Sequence, residues 1–131
     1  DVKHTYTAPF ANHRKSKAKV WLINTGWSGG AYGTGSRIKL SYTRAMITAA
    51  LNGYLDGVGY ETHEVFGMSM PTTCPAVPSE ILNPRNTWES KKDYDKQANA
   101  LAEEFVKNFE KYTDQASADI LSAAPKVLEK A

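Results

Sequence analysis

A chain of 131 residues with 41% hydrophobic, 23% charged and 11% aromatic residues has the makeup of one globular unit, outside the disordered, collagen-like and disulfide-dense classes. Its single cysteine, Cys74, excludes an intramolecular disulfide and makes a reducing, cytoplasmic compartment the expectation. The net charge of +2 hides a split, because residues 1–50 carry eight Lys/Arg against one acid, Asp1, while residues 51–131 carry eight against thirteen.

No run approaches the roughly 18 consecutive apolar residues of a membrane helix. Asp1 to Phe10 has neither the basic nor the apolar region of a signal peptide. Asp1 in place of an initiator Met fits a segment of a longer chain. Residues 1–18 show no period and read as an irregular segment. Within them, the basic stretch from His13 to Lys19 reads most simply as a solvated flank of the strand that follows.

From there the chain reads as α/β. Val20-Trp21-Leu22-Ile23 is short, apolar and rich in β-formers, as a strand buried on both faces would be. Asn24-Thr25-Gly26 ends it, and a glycine-dense loop follows at Gly26, Gly29, Gly30, Gly33 and Gly35. The alternation Arg37-Ile38-Lys39-Leu40 predicts a brief extended piece. Ser41 is the expected N-cap of a helix from about Tyr42 to Asn52, with Gly53 as its stop. Ala45, Met46, Ala49 and Ala50 form that helix's narrow core face.

Tyr60 to Met70 reads as one or two short strands ended by Pro71. Pro75, Pro78 and Pro84 make residues 72–88 an extended loop. Ser90 with Asp93 begins the longest helix in the manner of a capping box. In it Ala98, Leu101, Ala102, Phe105, Phe109 and Tyr112 predict one continuous apolar stripe. A last short surface helix spans about Ser117 to Ala124, closed by Pro125.

Catalytic groups are scarce. His4, His13 and His63 are scattered with no second ligand at zinc spacing. Cys74 has no helix N-terminus nearby to lower its pKa and reads as a structural thiol. Neighbouring Glu103 and Glu104 point about 100° apart on a helix and belong to a solvated face. Gly30 and Gly35 have the spacing of the outer glycines of a P-loop, but Ser36-Arg37 stands where Lys and Ser/Thr are required, so the motif is a decoy. The glycines either bring backbone N–H groups to an anion or simply allow a tight turn.

Three stretches carry a resemblance. Val20 to Gly30, then Tyr32-Gly33-x-Gly35-x-Arg37-Ile38-Lys39-Leu40-x-Tyr42-Thr43-Arg44-Ala45-Met46-Ile47, then Pro78-Ser79-Glu80-Ile81-Leu82-Asn83-Pro84-Arg85-Asn86-Thr87-Trp88 together resemble the C-terminal nucleotide-domain segment of ATP-dependent phosphoenolpyruvate carboxykinases. The likeness runs from about Lys19 to the C-terminus and leaves residues 1–17 unmatched. It implies that residues 19–131 are the C-terminal portion of a P-loop-containing, mononucleotide-binding carboxykinase domain, not a complete autonomous domain. The implied enzyme is a cytoplasmic lyase of gluconeogenesis that converts oxaloacetate and ATP to phosphoenolpyruvate, carbon dioxide and ADP with Mg2+ and Mn2+. Its P-loop, metal ligands and substrate arginines lie upstream, so the resemblance puts no catalytic and no metal-binding residue in this chain. The rest of the enzyme is the implied partner, with neither nucleic acid nor membrane.

By motif position, the resemblance puts the adenine end of ATP on Arg37, Ile38 and Thr43. A planar guanidinium can stack on a base, Ile38 offers an apolar wall, and Thr43 a hydroxyl or backbone donor. Arg44 is expected in a structural ion pair and Trp27 packed under the loop. The chain departs from the pattern at Ser36 (commonly Lys), Ala31 (often Pro) and Ala76 (usually Gly). Two alternatives are a free-standing adenine-binding or interaction module and an anion-binding module that uses the basic residues 14–19.

Overall fold

A computed structural model of the chain describes residues 19–23, 26–30 and 33–128. The irregular reading of residues 1–18, and the motif positions Asn24, Thr25, Ala31 and Tyr32, lie outside them. The architecture is a small α/β arrangement of two short antiparallel ribbons and one long helix. The first ribbon pairs β1 (Trp27–Ser28) with β2 (Ser36–Arg37), in register Trp27 to Arg37 and Ser28 to Ser36. Helix α1 (Leu40–Leu51) follows. The second ribbon pairs β3 (Tyr60–Thr62) with β4 (Ser69–Pro71). Two 3-10 turns, Ser79–Ile81 and Pro84–Thr87, lead to α2 (Lys91–Phe109), which runs on as a 3-10 turn, Glu110–Gln115, before the short α3 (Ala118–Ser122).

The strand expected at Val20–Ile23 does not form: residues 19–23 carry no regular structure, and Val20 and Leu22 are exposed. A strand buried on both faces needs a ladder partner on each side, and none of the described residues pairs with it. The start of α1 also differs. Lys39, with φ −58° and ψ 135°, is its N-cap and makes no side-chain cap, so Ser41 lies inside the helix. The Ile38 N–H donates to the Gly26 carbonyl at 3.1 Å, and the Lys39 carbonyl takes the N–H groups of Tyr42 (3.0 Å) and Thr43 (3.2 Å). The helix begins as soon as the ribbon ends. Its far end is as expected, with Asn52 as C-cap and Gly53 at φ +74°.

The core is in two parts. Ala49, Leu55, Cys74 and Val77 form one, with Trp21, Tyr42, Ala45, Met46, Ala50, Val58, Ile81 and Leu82 against it, so the small-residue face of α1 is packed as its spacing predicts. Val65, Ala98 and Ala102 form the other, covered by Phe66 and Tyr94. The stripe on α2 is therefore only partly core: Ala98 and Ala102 are buried, whereas Leu101, Phe105 and Phe109 are exposed. Successive residues of an α-helix turn by about 100°, which puts Leu40, Ile47 and Leu51 together on the side of α1 opposite its core face. They are open to solvent, Leu51 at 82% and Leu40 at 62%.

The proline-rich stretch is more ordered than an extended loop. Cys74 and Val77 form a lone antiparallel bridge closed by the Val77 N–H on the Cys74 carbonyl at 3.2 Å. Pro75 and Ala76 are its central residues, and Ala76 has φ +60°, the left-handed conformation of the third residue of a type II turn. Ala76 is the position where the resemblance expects glycine. Pro71 lies within β4 as its last residue, opposite Tyr60. The Ser90 hydroxyl accepts the Asp93 N–H at 3.2 Å and starts α2 as expected.

Candidate functional site

The first ribbon is a hairpin shaped by glycine. Gly29 has φ +80° and Gly33 φ +92°, conformations that L side chains avoid. At Gly35 the constraint is space, since a Cβ would collide with the Gly30 carbonyl oxygen and stand 2.7 Å from that of Ser28. These glycines fold the ribbon on itself, as the tight-turn reading requires.

Beside the hairpin is an open cleft of about 310 Å³. Ser28, Gly29, Ser36 and Arg37 of the ribbon form one wall and Glu80, Ile81 and Thr87 of the two 3-10 turns the other, with Ile38, Lys39 and Tyr42 also lining it. The Arg37 guanidinium carbon lies 5.8 Å from the centre of the Trp27 ring, the distance of a cation–π contact. Trp27 is 42% exposed and stands beside Arg37 at the cleft edge. Lys39 sits 5.5 Å over the Tyr42 ring in the same manner.

Of the three residues that the resemblance singles out, Arg37 and Ile38 line this cleft and Thr43 does not. Thr43 is 7% exposed within α1; its N–H is used by Lys39, and its hydroxyl has no hydrogen bond among the described residues. A buried hydroxyl without a partner is costly. Arg44 is exposed and makes no ion pair among the described residues, contrary to expectation. Lys19, the last residue of the basic run, pairs instead with Asp56.

Thr87 escaped the sequence reading. Its Oγ1 accepts the Gly29 N–H at 3.0 Å across 58 residues of chain and donates to the Pro84 carbonyl at 2.7 Å. Asn83 caps the same turn by accepting the Arg85 N–H at 3.1 Å, and Arg85 grips Asp95 of α2 through Nε (2.7 Å) and Nη2 (2.9 Å). That bidentate pair holds the Asp95 carboxyl below its usual range and raises Arg85. Asn83-Pro84 is a turn-starting pair, and Thr87 three residues on is placed to bond back to the Pro84 carbonyl; this is the signal that was available.

His63 also has a defined place. It is 8% exposed; its Nδ1 accepts the N–H groups of Val65 and Phe66, both at 3.2 Å, and its Nε2 lies 2.6 Å from the Tyr94 hydroxyl. An accepting Nδ1 puts the proton on Nε2, so the ring is neutral. Burial pushes its pKa below the usual histidine value, against the opposing charges of Glu64 and Asp95. Among the described residues no group of three His, Cys, Asp or Glu is spaced to hold a metal ion, and no helix is long and apolar enough to cross a membrane.

Fold and cleft define the class as a small α/β segment in which a glycine hairpin and a proline-bounded pair of turns face each other across an open cleft. The pattern of the phosphoenolpyruvate carboxykinase family matches residues 4–80, which extends the likeness well upstream of Lys19. Proteins described as phosphoenolpyruvate carboxykinase (ATP) align with most of the chain. That of Flavobacterium johnsoniae is 65% identical over 112 residues, 86% of this chain and 21% of the relative. That of Brevibacillus brevis is 60% identical over 111 residues, 85% of this chain and 21% of the relative. The Christiangramia forsetii protein is 54% identical over 115 residues, 86% and 22% respectively. The chain belongs to the ATP-dependent phosphoenolpyruvate carboxykinase family and spans about a fifth of the length of these curated relatives.

Proposed function

We propose that this chain is the part of a cytoplasmic ATP-dependent phosphoenolpyruvate carboxykinase that receives the adenine and ribose end of ATP. The whole enzyme would convert oxaloacetate and ATP to phosphoenolpyruvate, carbon dioxide and ADP. The observation that carries the reading is the adjacency of Arg37 and Ile38 on the wall of the cleft, with the guanidinium held beside Trp27. A flat cation and an aliphatic neighbour present what a purine face requires: one surface to stack on and one to exclude water. Thr43, buried in α1 behind the cleft wall, is assigned no contact with the base here, although the resemblance names it.

Size supports the reading as well. The exposed Leu40, Ile47 and Leu51 on one helix and Leu101, Phe105 and Phe109 on the other are faces that the rest of a longer enzyme would cover. Among the described residues no group of three His, Cys, Asp or Glu is placed to hold Mg2+ or Mn2+, and on this reading the metal and triphosphate contacts come from the rest of the enzyme.

Magnitudes limit what the segment does alone. Stacking one base contributes roughly 1–3 kcal/mol, whereas a millimolar dissociation constant requires about 4 kcal/mol. The isolated chain is therefore expected to bind AMP more weakly than millimolar and to turn over no oxaloacetate with ATP. An NMR titration with AMP tests the site. Shifts at the Trp27 indole and the Ile38 methyl groups, absent with inorganic phosphate and reduced severalfold in Arg37→Ala, are the expected result. Equal shifts with phosphate, or none with AMP, would refute it.

A further inference from the structure

We propose that Thr87 is a positioning residue for the cleft: its hydroxyl clamps the glycine hairpin to the Pro84–Thr87 turn and so sets where Arg37 and Ile38 stand. The proposal rests on the adenine reading for its consequence, but not for its geometry.

The hairpin needs such a clamp. Each of its strands is two residues long, and a ribbon of that length is marginal on its own in water. Ile38 adds one further rung through Gly26. At the closed end the Gly29 N–H is held by Thr87 Oγ1 at 3.0 Å. The fit there is close, because a Cβ at Gly29 would lie 3.1 Å from the Thr87 carbonyl oxygen. Gly29 and Thr87 both line the cleft, from opposite walls, so this hydrogen bond fixes its width at one end.

The other side of the clamp is rigid. Thr87 cannot swing freely while its hydroxyl donates to the Pro84 carbonyl at 2.7 Å. The turn it closes is capped by Asn83 and tied by Arg85 to Asp95 on the 19-residue helix α2. A continuous series of contacts thus runs from α2 through Asp95, Arg85, the Pro84–Thr87 turn and Gly29 into β1, and across the Trp27–Arg37 register to the guanidinium. Small displacements of a binding group cost affinity out of proportion to their size. A hydroxyl committed to Gly29 and Pro84 can therefore govern how a ligand is held.

The test uses the full 131-residue chain with Thr87→Val, which keeps the shape and removes the hydroxyl, and Thr87→Ser, which keeps it. Amide exchange at Gly29 is expected to rise about tenfold in Thr87→Val and to return near the native rate in Thr87→Ser, as for loss and recovery of one hydrogen bond. Exchange at Ala102 in α2 should not move, which separates a local clamp from general loosening. The Arg37 side-chain resonances, shifted by the Trp27 ring current, should move in Thr87→Val and recover in Thr87→Ser, and the AMP response should weaken and recover with them. Unchanged Gly29 exchange in Thr87→Val, or changed exchange with Arg37 resonances unmoved, would overturn the proposal. A native chain that ignores AMP while Gly29 and Arg37 respond as stated would overturn the adenine reading and leave the clamp standing.

Discussion

The glycine hairpin and the His63 turn are both tight reversals held against a distant element by one side chain, and they are built in opposite ways. At the hairpin the backbone bends because side chains are missing, and the large groups it carries, Trp27 and Arg37, remain open beside a cleft. At the turn the backbone bends around a buried ring, and both ring nitrogens are used, by Val65, Phe66 and Tyr94. The turn is further closed by the Gly67 N–H on the His63 carbonyl and by the Lys126 N–H on Val65. A satisfied buried polar group holds structure in place. Groups left open at a cleft edge are the ones available to a ligand.

Breaking the second region should be the more damaging. His63→Ala orphans two backbone N–H groups, one of them on the buried Val65, and removes the partner of Tyr94; a loss of about 3 kcal/mol in chemical denaturation is expected. A pH series sharpens the point. Burial depresses the folded pKa of His63, so below the ordinary 6.5 the unfolded chain takes up the proton first. The histidine's contribution is complete above that value and is lost as pH falls through the folded one. Stability of the native chain should therefore fall as the pH is lowered below 6.5, and the fall should be smaller in His63→Ala; equal slopes would remove His63 from the account.

At the hairpin, Gly35→Ala drives a methyl group into the Gly30 and Ser28 carbonyls and should cost about 2 kcal/mol. Its signature is local, a loss of the Trp27–Arg37 ring-current shifts with α2 exchange preserved. The smallest change goes the other way. Ala76 holds φ +60° with a Cβ, so Ala76→Gly should stabilise by about 1 kcal/mol, read as a higher denaturation midpoint at unchanged slope.

Spacing along the chain made the local decisions legible. Gly53 as a helix stop, Ser90 as a cap and the small-residue face of α1 could be read directly because each depends on a few neighbouring residues. Val20–Ile23 has the composition of a strand and forms none, because a strand's existence depends on partners, which no window of sequence displays. The α2 stripe is only half core for the same reason: periodicity shows which side is apolar, not what covers it. At the cleft, motif position singles out Arg37 and Ile38 but not the wall they line, and Thr87 reaches Gly29 across 58 residues, a contact visible only in three dimensions.

Cys74 gives the molecule a further use. It is the chain's one thiol, 7% exposed beneath α1, and burial raises its pKa. A thiol-specific dye can reach it only when the Ala49–Leu55–Val77 cluster parts. Labelling kinetics at Cys74 therefore time the opening of that half of the molecule, with no engineered probe, and the same clock can be run on any variant that keeps the sulfur.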